Sequence, residues 1–190
     1  MSYYDLDSIL TTSTRLPCTF NLNVPGLGYL EGGGGTSLDA QPTARDIKSG
    51  SSISLPLWLG TLLAVSNSTN PNLSPFVTLD FPPSLQSRVI NALKADAKSV
   101  DLRSQESHFY SLGCQVLELF EEDELVDVLT DTFKARASAI ADHAHNPRGA
   151  LGEGAEFLRG LDETERQLFR AAHDGPKAVR EWLVQMKKTT

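Results

Sequence analysis

The spacing of apolar residues changes near residue 55. Upstream, the apolar positions fall in short pieces, Arg15 to Asn21 and Gly28 to Glu31, separated by glycine-rich breaks, and both read as strands. Asp46 to Ser54 reads as a hairpin, with Ile47-Lys48 and Ser52-Ile53 flanking the turn Ser49-Gly50. Asp5 and Asp7, just before Ile9-Leu10, are placed to start a short helix. The Gly32 to Gly35 run and the polar stretch up to residue 45 have little to bury, which predicts a flexible loop at 32–45.

Downstream the period becomes helical. Pro56 suits a helix start, and Leu57, Trp58, Leu59, Leu62, Leu63 and Val65 predict a short, largely buried helix. An extended piece from Phe76 to Phe81 leads through Pro82-Pro83 into a helix with Leu85, Val89, Leu93 and Ala97 on one face. Gln105 to Phe120 predicts another, with Phe109, Leu112, Val116 and Leu119 on a stripe. The next, Asp123 to Ala141, carries Leu125, Leu129, Phe133, Arg136 and Ile140, with its acids early and its bases late, as a helix dipole favours. After a polar loop from His143 to Gly154, two helices are expected on either side of the breaker Asp174-Gly175-Pro176, and Asp162 with Glu165 has the spacing of a capping box. The predicted fold class is α+β, mostly α: a small N-terminal β-rich domain over 1–55, then a larger helical-bundle domain over 56–190.

Composition narrows the function classes. With 190 residues, 40% hydrophobic and 22% charged, the chain reads as a folded globular protein. The 17 basic residues against 24 acidic ones leave a net charge of -7, which disfavours nucleic-acid binding through the overall field. Neither a long apolar run nor a secretory N-terminus is present, so export and membrane insertion are not expected. The two cysteines, Cys18 and Cys114, support neither a disulfide framework nor a zinc knuckle.

The usual catalytic signatures are incomplete or missing. Gly26-x-Gly28 is followed by Glu31 where a dinucleotide fingerprint needs glycine, and the run at 32 to 35 lacks the lysine of a phosphate loop. There is no G-x-S-x-G elbow and no H-E-x-x-H pair. Asp142, His143 and His145 carry metal-ligating groups, but their place before Asn146-Pro147 fits a helix C-terminus better. His108 and Cys114 fall on different sides of one helix and fit packing better than a thiolate pair. Arg159, Arg166 and Arg170 have helical spacing and could meet phosphates, yet they are interleaved with acids and fit a solvated face. Trp58 and Trp182, among leucines and valines, fit core or interface anchors.

Several segments, taken in order, resemble the family of third Psf subunits of the eukaryotic GINS complex. They are Leu6-Asp7-Ser8-Ile9-Leu10, Arg15-Leu16-Pro17-Cys18, Gly26-Leu27-Gly28, Leu55-Pro56-Leu57-Trp58-Leu59, Val100-Asp101-Leu102, His108-Phe109-Tyr110, and Leu161-Asp162-Glu163 leading to Glu165-Arg166 and Leu168-Phe169. The resemblance implies a non-catalytic subunit of a heterotetramer, without cofactor or metal, working in the nucleus in initiation and elongation of DNA replication. Implied partners are two other Psf subunits, the Sld subunit, the MCM ring and a RecJ-like Cdc protein, with no membrane contact and only indirect or weak contact with DNA. Because apolar and aromatic side chains dominate the buried centres of interfaces, Leu55, Leu57, Trp58, Leu59, Phe109 and Tyr110 are the candidates for an interdomain or subunit contact, with internal core the equal alternative for each. The competing readings are a small metal-dependent enzyme built on Asp142, His143 and His145, and a stand-alone DNA-binding module using the helices from Arg159 to Lys188.

Overall fold

A computed structural model describes residues 4–31, 46–66, 75–146 and 153–189; the 32–45 loop lies outside the described residues. The chain divides into two compact units, Met1–Pro83 and Ser84–Thr190.

The first unit is a three-stranded antiparallel sheet with two helices. Helix α1 (Leu6–Ser13) starts after Asp5, in extended conformation, with Asp7 in its first turn. Strand β1 (Arg15–Phe20) is central, flanked by β2 (Ser52–Pro56) and β3 (Val77–Leu79), in the order β2-β1-β3. Leu16 sits opposite Leu55 and Cys18 opposite Ile53, while Phe20 pairs with Val77 on the other side. Strict alternation along β1 and β2 puts Leu16, Cys18, Phe20, Ile53 and Leu55 in the core and sends their neighbours outward. Burial pushes the Cys18 thiol above its ordinary value, as expected for a packed side chain rather than a nucleophile.

Helix α2 (Leu57–Val65) follows β2 directly and lies against all three strands. That packing explains why the units divide between residues 83 and 84 and not near 55: the helical period begins at 57, but this helix covers the sheet, and β3 then returns to it. The approach is close at Gly60, where a Cβ would meet Leu79 Cδ2 at 2.8 Å and Cys18 Sγ at 3.2 Å. Only one side of α2 is buried, not most of it, because a single sheet face cannot cover a helix that is apolar all round.

Two other expectations are corrected. Gly28–Glu31 forms a turn of 3-10 helix rather than a strand. The turn at Ser49-Gly50 exists, with Gly50 at φ 86°, but its arms do not pair with each other. Ile47 bridges Val24 and residues 52–56 pair with β1, since β1 offers a longer apolar partner than the polar arm Asp46-Ile47-Lys48.

The second unit is a helical bundle. It comprises α3 (Ser87–Ala95), α4 (Leu102–Gln105), α5 (Phe109–Leu119), α6 (Asp123–His145), α7 (Glu153–Arg159) and α8 (Glu163–Thr189). Helix α6 is its spine and touches α3, α5 and α8. Its buried residues Leu125, Val128, Leu129, Thr132, Arg136, Ile140 and Ala144 repeat at three- and four-residue intervals and include the predicted Leu125, Leu129, Arg136 and Ile140, while the predicted Phe133 is half-buried. Gly113 lets α5 come close, since a Cβ there would meet Leu129 Cδ1 at 2.7 Å. The helix expected from Gln105 to Phe120 is divided by extended backbone at Glu106, with Asp101 capping α4 by accepting from the Ser104 amide at 2.9 Å. In contrast, the expected break at Asp174-Gly175-Pro176 does not occur: α8 runs through Pro176. The carbonyl that Pro176 leaves unpaired, that of Ala172, lies in a largely exposed stretch where water can satisfy it.

Replacing Gly60 tests the seat of α2. Gly60→Val is expected to cost about 1–3 kcal/mol from overpacking against Leu79 and Cys18. Gly60→Ala should be milder, because its helix gain of about 1 kcal/mol offsets part of the clash. Urea unfolding of both variants measures the difference.

Candidate functional site

The structure separates apolar side chains that hold each unit together from those left outside. In the first unit, Leu55 and Leu57 are buried, and Leu59 is half-buried. Trp58 is 55% exposed. It shares a face of α2 with Leu62 and Val65, also exposed, at intervals of four and three residues. Helix α1 packs on α2 and exposes Leu6, Ile9 and Leu10. Two neighbouring helices thus present large apolar side chains to solvent, the condition in which surface apolar groups mark an interaction site.

In the second unit Phe109 and Tyr110 are interior. Their rings meet edge to face at 5.7 Å, and Tyr110 meets Phe133 likewise at 5.3 Å. They support the bundle and cannot reach another chain from there. Besides Leu119 and Val126, the exposed large apolar side chains of this unit lie on the last part of α8: Val179, Trp182, Leu183 and Met186 are related by spacings of three and four, with Val184 exposed beside them. Of the α8 residues only Trp182 stands out in a sequence broken at Pro176; with the helix continuous through that proline, Val179 and Met186 fall at helical spacing from it.

The second unit also contains a buried polar centre. Arg136 and Glu165 side chains are 1% and 0% exposed and pair through Arg136 Nε to Glu165 Oε1 at 2.7 Å and Nη2 to Oε2 at 2.9 Å. The remaining guanidinium donors reach backbone carbonyls: Nη1 to Ala97 and Val100, both at 2.9 Å, and Nη2 to Gly160 at 3.3 Å. All five N–H donors of the arginine are therefore used. Its Cζ also lies 4.9 Å from the centre of the Phe157 ring.

Glu165 belongs to the capping box foreseen in the sequence. Its amide donates to Asp162 Oδ1 at 2.8 Å, and the Asp162 amide donates to Glu165 Oε2 at 3.4 Å. Tyr110 closes the cluster, donating its hydroxyl to Glu165 Oε1 at 3.0 Å and its amide to Asp162 Oδ2 at 3.3 Å. Burial, with the Glu165 carboxylate beside it, pushes the Tyr110 phenol far up, so it stays a donor. Burial also raises Asp162, partly opposed by the amides of Glu165 and Tyr110. Gly160 completes the junction: its carbonyl accepts from the Leu102 and Arg103 amides at 3.1 and 3.3 Å, and a Cβ there would meet Asp101 Cα at 3.2 Å. The cluster is anchored on α5, α6 and α8 and on the backbone between α3 and α4. Such groups could move protons in a catalytic site, but with every donor used and no exposure to substrate this one acts as a structural clasp.

The sequence's other chemical candidates remain apart. Among the described residues no group of His, Cys, Asp or Glu is assembled to hold a metal. His143 and His145 occupy the last turn of α6, with the His143 ring 5.6 Å from that of Phe157. His108 is buried while Cys114 is exposed. Arg166 and Arg170 both approach Glu163, one helical turn or two away. No helix among the described residues is long and apolar enough to cross a membrane.

Comparison with known proteins identifies the family. The family model of the PSF3 N-terminal domain matches residues 4–65, and that of the GINS complex protein helical bundle domain matches residues 84–184. The chain belongs to the PSF3 family. It is 61% identical over 188 residues to the DNA replication complex GINS protein psf3 of Aspergillus fumigatus, covering 99% of both chains. It is 59% identical over 187 residues to the PSF3 protein of Phaeosphaeria nodorum, covering 98% of both, and 36% identical over 182 residues to that of Schizosaccharomyces pombe, covering 96% of this chain and 97% of the relative. The two family-model matches fall within the two compact units, one on each side of the division at residues 83 and 84.

Two variants test the clasp. Arg136→Met should cost about 3–5 kcal/mol by leaving Glu165 buried without its cation. Arg136→Lys keeps the charge but cannot serve all the acceptors, and should cost about 1.5–3 kcal/mol; urea unfolding gives both values. Asp162 has a sign of its own. Because its folded value is raised, its protonation contributes stability that is fully present below the ordinary carboxylate value of about 4 and is lost as pH rises through the folded value. The stability of the wild type relative to Asp162→Asn should therefore fall as pH rises through that window, and a flat or rising difference would contradict it.

Proposed function

We propose that this chain is a non-catalytic structural subunit of the heterotetrameric GINS complex, beside two other Psf subunits and the Sld subunit. The complex in turn joins the MCM ring and a RecJ-like Cdc protein in the replicative helicase, in the nucleus, during initiation and elongation of DNA replication. Membership of the PSF3 family, over nearly the full length of both chains, is the observation that carries this reading. The exposed apolar faces support it: obligate interfaces resemble a domain core cut in half, and Trp58, Leu62 and Leu10 on the first unit, like Trp182 and Leu183 on the second, have that character. The role asks for no cofactor. Contact with DNA is indirect or weak in this reading, since the net charge is -7.

Co-expression with the other three GINS subunits, followed by light scattering on the eluted species, should give a one-to-one-to-one-to-one complex. Trp58→Ala removes an exposed anchor and should weaken assembly by about 2 kcal/mol or more. Leu62→Asp, which introduces a charge on the same face, should weaken it further. A chain that elutes as a well-behaved monomer beside all three subunits, or variants with unchanged elution profiles, would count against the proposal.

A further inference from the structure

Three arginines surround one carboxylate where α4 meets the start of α8. Glu163, the first residue of α8, lies 3.8 Å from Arg166 Nη1, 3.6 Å from Arg170 Nη1 and, across from α4, 4.0 Å from Arg103 Nη1. The backbone fixes this arrangement, because the Glu163 amide donates to the Ser107 carbonyl at 3.0 Å and the Arg103 amide to that of Gly160 at 3.3 Å. Three cations on one anion leave a local surplus of positive charge on a chain whose net charge is -7.

The contacts are loose. A well-formed guanidinium–carboxylate hydrogen bond measures about 2.7–2.9 Å, and none of the three approaches that length. Half-exposed pairs of this kind are individually worth little, so exchanging them for a ligand's acids costs little. Beside them, Leu158, Leu161 and Phe169 line an open recess of about 240 Å³ whose wall is completed by Arg166 and Arg170. A nucleic-acid backbone would use the charge but not the recess, and the overall negative field opposes a long polyanion. A peptide bearing acids next to a bulky apolar side chain uses both.

We propose that Arg103, Arg166 and Arg170, together with the recess of Leu158, Leu161 and Phe169, form a docking site for a short acidic segment of a partner protein. Its carboxylates engage the guanidiniums and its bulky apolar side chain fills the recess. The proposal rests on the non-catalytic subunit reading only in taking a protein as the ligand.

The probe is a short fluorescein-labelled peptide with a Leu-Phe pair flanked on both sides by aspartates, titrated by anisotropy into the assembled complex. Assembly itself is read separately by light scattering; should no complex form, the subunit reading fails and the titration is made on the full chain. Saturable binding that weakens with salt is expected. It should weaken on the order of tenfold or more in the double variant Arg166→Glu with Arg170→Glu, and when serines replace Leu-Phe. The variant's melting temperature should stay close to wild type, because Arg170 is exposed, Arg166 is half-exposed and their loose pairs with Glu163 are individually worth little. Absence of peptide binding, equal binding to wild type and double variant, insensitivity to the Leu-Phe replacement, or binding of an oligothymidylate in place of the peptide would each overturn the proposal.

Discussion

The helical unit depends on the pairing of Arg136 with Glu165. An ion pair with almost no exposure is costly to desolvate and gains net stability only if every remaining donor and acceptor is also satisfied. Here the arginine's other donors are spent on three backbone carbonyls and the glutamate accepts from Tyr110 and Asp162. Those carbonyls belong to Ala97, Val100 and Gly160, residues in the connections between helices. One side chain thereby fixes the positions of segments that apolar packing alone would leave free to slide. Three of the segments that carry the resemblance to third Psf subunits, 100–102, 108–110 and 161–166, converge on this centre.

The first unit solves a different problem by simpler means. Its sheet has one apolar face, made by alternation along β1 and β2, and α2 covers it at the distance that Gly60 permits. Once that face is covered, α2 still has an apolar side, and α1 adds Leu6, Ile9 and Leu10 to it. The second unit likewise spends Phe109 and Tyr110 inside and leaves the stretch from Val179 to Met186 outside. Each unit is thus internally complete yet carries apolar surface that a solitary protein gains nothing by exposing, which is what a subunit of a larger assembly requires.

Much of this was readable from local pattern. The periodic stripe of α6, that of α5 from Phe109 to Val116 though not its exposed end at Leu119, the start of α2 after Pro56, the strand at Arg15 and the capping box at Asp162 and Glu165 all rest on residues close in sequence. Even the clasp left a trace, since Arg136 falls on the apolar stripe of α6 where a solvated arginine would not. Its partner was hidden because Glu165 already had a local reason to be where it is. Non-local choices were not readable: that Ile47 would bridge Val24, and that α2 would side with the sheet, depend on partners far along the chain. The candidate interface was legible as a segment but not residue by residue. Leu55, Leu57, Phe109 and Tyr110 have the chemistry of interface anchors and are interior, and only burial distinguishes them from Trp58.

Hydrogen–deuterium exchange, compared between the isolated chain and the assembled complex, tests most directly whether the molecule combines self-sufficient cores with faces completed by partners. Peptides spanning α1, α2 and the Val179 to Met186 stretch should gain protection on assembly, while those spanning Arg136 and Glu165 should be protected in both states. Unchanged exchange along α2 and the end of α8, or a clasp that becomes protected only in the complex, would contradict that division.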